Sequence, residues 1–264
     1  MGLSSNVLWH QTKKEGLMSI LRTKKLFFSY SLENIISSPN ISGIAIPMVS
    51  LCDLPLVEIG AGKWPYGNYA IGLSRDWGIR NGFTPVCYCH KESSLYLNLL
   101  KNLLDAIHAK DKLSTEKAVF PFYYMKFVEG SLERRNYRRY RFYDEKEIRL
   151  IPKKEDIPNN KFLLKDNQYE EYKEKNGNSF LGSYGVNFSY EDVKFIVVES
   201  EKNRGEVIRF FKRHQVDDSH ITILTKNQIL EDIIGINHNK TLITPIPLLG
   251  QKSVEELALE LEKE

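Results

Sequence analysis

The sequence predicts an α+β fold of mixed and antiparallel sheets with flanking helices, and three observations carry the prediction. Short apolar runs rich in β-branched and aromatic residues recur at 44–51 (IAIPMVSL), 69–73 (YAIGL) and 195–200 (FIVVES), the signature of strands. Helical periods interrupt them, most clearly at 93–109 (SSLYLNLLKNLLDAIHA). The last third spells strand–helix–strand, from FIVVES through a helical stretch to His214 and on to ITILT at 221–225. With 42% hydrophobic and 27% charged residues, the 264-residue chain has the composition of a packed protein, which excludes disordered and collagen-like classes.

Taken in order, residues 5–11 read as a strand around Val7, Leu8 and Trp9. A helix follows with Thr12 as its N-cap, Glu15 three residues later, and Leu17, Ile20 and Leu21 on one face. The strands at 44–51 and 69–73 are separated by a Gly/Pro-rich loop, 55–68. The helix over 93–109 puts Leu95, Leu99, Leu103, Ala106 and Ile107 on or near one stripe. Tyr123–Val128 and Glu145–Ile151 read as strands, and the polar stretch 152–180 as a surface excursion. The expected organisation is a single α+β domain over 1–230, then a tail over 231–264 that ends in an amphipathic helix bearing Leu257, Leu259 and Leu261. No repeat of solenoid or propeller length is present.

A formal charge of +3 is too small to argue for nucleic acid by itself, so a basic partner site would have to be local. Three cysteines, Cys52, Cys87 and Cys89, do not make a disulfide framework. Met1 to Trp9 is too short and polar for a signal peptide, and no apolar run approaches the roughly 20 residues that span a bilayer. The expectation is a soluble, cytoplasmic protein with no membrane partner.

The segment Arg138 to Pro152 (RRYRFYDEKEIRLIP) is the richest in chemistry. Alternate residues of a strand share a face, so Glu145, Glu147 and Arg149 face one way and Lys146, Ile148 and Leu150 the other. Glu147 and Arg149 would then stand together at a cleft, or form a plain ion pair of little worth if exposed. His10 has two readings as well, a site residue or a hydrogen-bonding histidine at a strand end. Arg134, Arg135, Arg138, Arg139 and Arg141 crowd one stretch with Tyr137 and Tyr140 between them. Such a patch grips phosphates and stacks bases, or it is a solvated hairpin edge. The Gly60-Ala-Gly62-Lys63 run lacks phosphate-loop spacing, Cys87-x-Cys89-His90 has no second pair at a useful distance, and no metal site is predicted.

The blocks LWHQTKKEGLMSILRTKKLFFSYS, SLCDLP, YGNYAIGLSRDWGI and YDEKEIRLIP, with the closing strand–helix–strand, resemble the AbiGi family of bacterial abortive-infection, or phage-resistance, proteins. The likeness runs from about residue 7 to about residue 225. More remotely the layout resembles an ADP-ribosyltransferase-like group: a first strand with His, a Gly-Leu-x-x-Ile-Leu helix, a central Tyr- or Ser-bearing segment and a late strand with Glu. That resemblance implies NAD as substrate, with His10 and Thr12 at the nicotinamide-side ribose and Glu147 as the late-strand glutamate. Glu147 would stabilise the oxocarbenium-like transition state. Tyr30, Tyr66 or Tyr69 would supply an aromatic wall, Arg149 and Arg75 the cations for the pyrophosphate, and Ser50 a place on a central strand near the cleft. The first motif departs from the group as His-x-Thr, and Glu145-x-Glu147 only partly matches a Glu-x-Glu pair.

Three functions are compatible with these features. One is an antiphage effector that consumes NAD and modifies nucleic acid or protein. Another is a non-catalytic antitoxin or regulator of a toxin encoded beside it. The last is a nuclease, for which no convincing set of metal-binding carboxylates is present.

Overall fold

In the computed structural model, which describes residues 5–233 apart from 37–42, 62–65, 133–136, 158–161 and 178, the chain opens with strand β1 (Val7–Thr12) and helix α1 (Lys14–Thr23). Strands β2 (Lys25–Glu33) and β3 (Ile44–Cys52), helix α2 (Leu56–Ala61), strand β4 (Tyr69–Ser74) and helix α3 (Arg75–Arg80) follow. The middle of the chain holds β5 (Thr84–Pro85), β6 (Cys87–Cys89), α4 (Ser94–His108), α5 (Lys112–Val119), β7 (Met125–Phe127), β8 (Gly130–Leu132), β9 (Tyr137–Tyr140) and β10 (Glu147–Leu150). The described part closes with β11 (Leu164–Lys165), α6 (Asp166–Asn176), β12 (Phe180–Asn187), β13 (Val193–Val198), α7 (Glu201–Arg213) and β14 (Thr222–Thr225). The fold is mixed α+β, as the sequence predicts. The tail from 234 on, with its expected amphipathic helix, lies outside the described residues.

Strand β3 organises the sheet because it is apolar nearly throughout and buried on both faces. It pairs antiparallel with β2 along its first half and with β10 along its second. The main strand order is β12-β2-β3-β1-β4-β13-β14, antiparallel except for the parallel β13–β14 pair that α7 connects. Strand β1 pairs over its whole length with β4, from Val7 opposite Ser74 to Thr12 opposite Tyr69, but meets β3 at the single register Trp9–Cys52. Beyond that point β1 and β3 part, and the split leaves a cleft between β1–α1 and β2–β3.

Trp9 fixes the junction. Its ring is fully buried among Val7, Cys52, Leu54, Ile59 and Val197, and its Nε1 donates to the Leu54 carbonyl at 2.9 Å. Opposite it stands Gly72, where a Cβ would meet Val7 Cγ1 at 2.6 Å and Trp9 Cζ3 at 2.9 Å. Gly72→Ala is therefore expected to lower stability by about 1–3 kcal/mol, the usual penalty of overpacking, as read from a thermal or urea melt.

Several details differ from the sequence-based expectations. Thr12 is the last residue of β1, and the helix N-cap is Lys13, with no side-chain capping bond. Sheet pairing to Tyr69 takes Thr12 away from that role. The 55–68 stretch is not all loop, because Pro55 is followed by the short helix α2. In α4 the buried residues are Tyr96 and Leu103, while Leu95 and Ile107 face solvent. Tyr123 and Tyr124 belong to a 3₁₀ turn, and the strand begins only at Met125. The supposed excursion 152–180 contributes core through Ile157, Phe162, Leu164 and Tyr169. Phe162 packs edge-on against Tyr123 at 5.4 Å, and Tyr172 against Tyr30 at 4.8 Å. These aromatics are spaced too irregularly along a polar stretch to show a period.

Candidate functional site

Lys146 takes a left-handed backbone conformation at φ +46°, which ends a 3₁₀ turn and starts β10 at Glu147. Glu145 consequently reaches the site from the turn rather than as part of an extended Glu-x-Glu face. Glu147 and Arg149 do share a face, and Ile148 packs into the core, as strand alternation requires. The face they share is buried rather than exposed. Arg149 has no solvent-accessible surface, and Glu145 and Glu147 are also buried.

Arg149 grips Glu147 through two nitrogens, Nε to Oε1 at 2.7 Å and Nη2 to Oε2 at 3.0 Å. Its Nη2 also reaches Glu33 Oε1 at 2.8 Å, and its Nη1 donates to the Tyr123 carbonyl at 3.0 Å. Lys126, from β7, donates to Glu147 Oε2 at 2.9 Å and to Glu145 Oε2 at 3.2 Å. Ser50 Oγ completes the shell by donating to Glu147 Oε1 at 2.7 Å. Tyr66 Oη donates to Glu145 Oε1 at 2.7 Å. Three carboxylates against two cations leave the cluster with one net negative charge.

Burial opposes the charge on Glu147, but Arg149 and Lys126 outweigh it and hold the carboxyl well below the usual carboxylate range. Burial likewise works against the charges of Lys126 and Arg149, and the surrounding glutamates overcome it in both. The stability supplied by ionised Glu147 is thus fully present above about pH 4.5, the unfolded value, and is lost as pH falls toward its folded value. Thermal midpoints measured from pH 7 down to about pH 3 are expected to drop steeply below about pH 4.5, and the Glu147→Gln variant should show a shallower fall.

The cluster forms the floor of the cleft between β1–α1 and β2–β3, a cavity of about 600 Å³. His10, Thr12, Tyr30, Ser50, Tyr66, Lys126, Glu145 and Glu147 all border it. His10 Nδ1 lies 3.2 Å from the Ser50 carbonyl, so Ser50 bridges His10 through its backbone and Glu147 through its hydroxyl. Burial lowers the pKa of His10, which favours a neutral imidazole. Tyr30 forms part of the cleft wall, its hydroxyl pushed up to about 12 by burial.

Other residues singled out from the sequence stand elsewhere. Tyr69 does not border the cleft, and its hydroxyl donates to Glu199 at 3.4 Å. Arg149 lies behind Glu147 and has its donors taken by protein groups. Arg75 binds Asp53 and the Ser5 carbonyl away from the cleft. Of the arginine cluster, Arg134 and Arg135 lie outside the described residues, as does the side chain of Arg138. Arg139 is exposed and holds Glu129 with two bonds, at 2.9 and 3.0 Å, and Arg141 pairs with Asp144 at 3.3 Å. Lys126 and Glu33 escaped the sequence reading. A lone lysine inside the apolar run Tyr123–Val128 is the signal that points to Lys126.

Among the described residues, no group of three or more His, Cys, Asp and Glu side chains is placed to hold a metal ion, and no helix is long and apolar enough to cross a membrane.

Residues 15–199 match the profile of the family described as "Putative abortive phage resistance protein AbiGi, antitoxin", which is more than half of the chain. The chain belongs to the AbiGi family. An abortive phage resistance protein AbiGi from Lactococcus lactis subsp. cremoris is 28% identical over 199 residues, which cover 64% of this chain and 78% of the relative. The AbiGi match takes in the cleft's central residues Ser50, Lys126, Glu145 and Glu147, while His10 and Thr12 precede it. Among solved structures, Thermus sp. 2.9 DarT in complex with NAD+ aligns with 83% of this chain and 94% of its own, at 16% identity and a TM-score of 0.33. That level of likeness is too low to transfer chemistry.

Proposed function

We propose that this AbiGi protein binds NAD in the cleft at the β1–β3 split and uses Glu147 to transfer ADP-ribose, in keeping with the ADP-ribosyltransferase-like layout of the sequence. The observation that carries the reading is the relay His10–Ser50–Glu147, which brings a first-strand histidine and a late-strand glutamate to one cleft. The net negative charge of the floor suits the cationic pyridinium of NAD and the positive charge that grows on the ribose as the glycosidic bond breaks. In that step the bond from the anomeric carbon to the ring nitrogen breaks and its electron pair leaves with nicotinamide. The acceptor's lone pair forms the new bond, and the acceptor's proton passes to water.

The fit is strongest at the nicotinamide–ribose end. Lys126 is the one cationic side chain among the described residues that border the cleft, so Arg75 and Arg149 leave the pyrophosphate to other groups. Among the described residues a nucleic-acid acceptor would be held by the Arg139–Arg141 region, where both arginines pair with local carboxylates.

A second reading follows from the saturation of Glu147, whose two oxygens already accept four hydrogen bonds. A locked glutamate suits a protein that restrains a toxin encoded beside it, in line with the family's description as an antitoxin. Calorimetric titration with NAD, together with an assay for released nicotinamide, separates the two. Micromolar binding with nicotinamide release supports the transferase. Absence of both, with suppression of a neighbouring toxin in co-expression, supports the antitoxin.

A further inference from the structure

Lys126 stands out once the cleft is described, because it is a buried charge supplied by a minor element. Among the described residues strand β7 pairs only with the three-residue β6, in a two-stranded sheet apart from the main one. From there the lysine reaches across to two carboxylates of another segment, with its side chain 12% exposed and its ammonium 4.6 Å from the centre of the Phe142 ring. Arg149 already provides Glu147 with a bidentate partner. Among the described residues Glu145 has no arginine partner, and beyond Lys126 it is met by the hydroxyls of Tyr66 and Tyr140.

We infer that Lys126 is the positioning cation that holds Glu145 and Glu147 side by side as two anions at the cleft floor. The inference deepens the NAD reading, on which its ligand arm rests. Without the ammonium, three carboxylates would face one guanidinium, and two negative charges would be buried a few ångströms apart. Such a pair relieves itself by taking up a proton. The groups that face Lys126 from the surrounding elements are Glu33 of β2, Cys52 of β3, Tyr66, Tyr88 of β6, Tyr140 of β9, and Glu145, Glu147 and Arg149. None of them is a cation that could replace it, since Arg149 is committed to Glu33 and Glu147. The lysine's role is therefore to keep both carboxylates charged and separate.

The test is a carbon-13 carboxyl titration by NMR of the full chain from about pH 4 to pH 9, on wild type, Lys126→Met, Lys126→Arg and the double variant Lys126→Met/Glu145→Gln. In wild type and Lys126→Arg the Glu147 carboxyl is expected to stay ionised across the range, with no cluster carboxyl titrating near neutrality. In Lys126→Met one of the cluster carboxyls should titrate near neutrality, and the double variant should lose that titration because the extra charge is gone. NAD affinity of Lys126→Met should fall about tenfold or more at pH 6.5 and recover toward pH 8.5. A folded Lys126→Met whose carboxyls all remain ionised down to about pH 5 overturns the inference. If Lys126→Met does not fold, rescue of folding by Glu145→Gln supports the inference and failure of that rescue overturns it. A neutral-range titration in a protein whose wild type binds no NAD upholds the role of Lys126 and refutes the dinucleotide reading instead.

Discussion

Arg149→Met is expected to cost about 3–5 kcal/mol of folding stability, the largest loss from any single change in the cleft floor. The guanidinium has no exposed surface and holds Glu147, Glu33 and the Tyr123 carbonyl at once. Methionine fills much of the volume but strips Glu33 of its cation and leaves three buried carboxylates facing the single ammonium of Lys126, and such uncompensated charge is far more costly than the cavity. The pair is not a large net source of stability while intact, because desolvation of both partners offsets most of their attraction. Its removal from one side is what destabilises. Urea unfolding of wild type and Arg149→Met at pH 7 measures the difference. A loss below about 1 kcal/mol would mean that water reaches the cluster and screens it.

Glu147→Gln is expected to keep the fold and to lower ADP-ribose transfer, measured as nicotinamide release, by about a hundredfold or more. The two expectations have a common electrostatic basis. Neutralising Glu147 leaves Glu33 and Glu145 against Lys126 and Arg149, so the cluster becomes charge-balanced and the amide can still accept from Ser50 and Arg149. The same neutralisation removes the negative charge that the growing positive charge on the ribose needs, and a fixed carboxylate in a water-poor site is worth several kilocalories there. Circular dichroism and a thermal melt check the first expectation, and single-turnover kinetics the second. Full retention of turnover in Glu147→Gln would remove the residue from the chemistry, whereas loss of NAD binding with unchanged chemistry would restrict it to a ground-state role.

Strand alternation made the Glu147–Arg149 pairing legible in the sequence, and the remoter resemblance to an ADP-ribosyltransferase-like group pointed to His10 and Ser50 as its neighbours. The resemblance implies Arg149 as a pyrophosphate cation, but a strand pattern gives the face a residue shares and not the depth at which that face lies, and Arg149 is fully buried. The resemblance offers Tyr69 as part of an aromatic wall, yet pairing of β4 with β1 turns its hydroxyl toward Glu199. The aromatic anchors of 152–180 were invisible for a different reason. Phe162 and Tyr169 find Tyr123 and β3 only after the chain has folded back, and nothing local announces it.

By itself the sequence determined the α+β class, the strands at 44–51 and 69–73, the helix over 93–109, the closing strand–helix–strand and the AbiGi kinship. These depend on local periodicity, turn chemistry and motif content, which are written along the chain. The tertiary structure alone decided that β1 and β3 part after Trp9 to open a cleft, that Ser50 joins His10 to Glu147, and that Lys126 and Glu33 enter the charge cluster. Those segments lie far apart along the chain, and Glu33 and Arg149 alone are separated by 116 residues. Long-range ion pairs among buried groups depend on the meeting of distant strands, and their energetics come from a low-dielectric interior that exists only in the folded state.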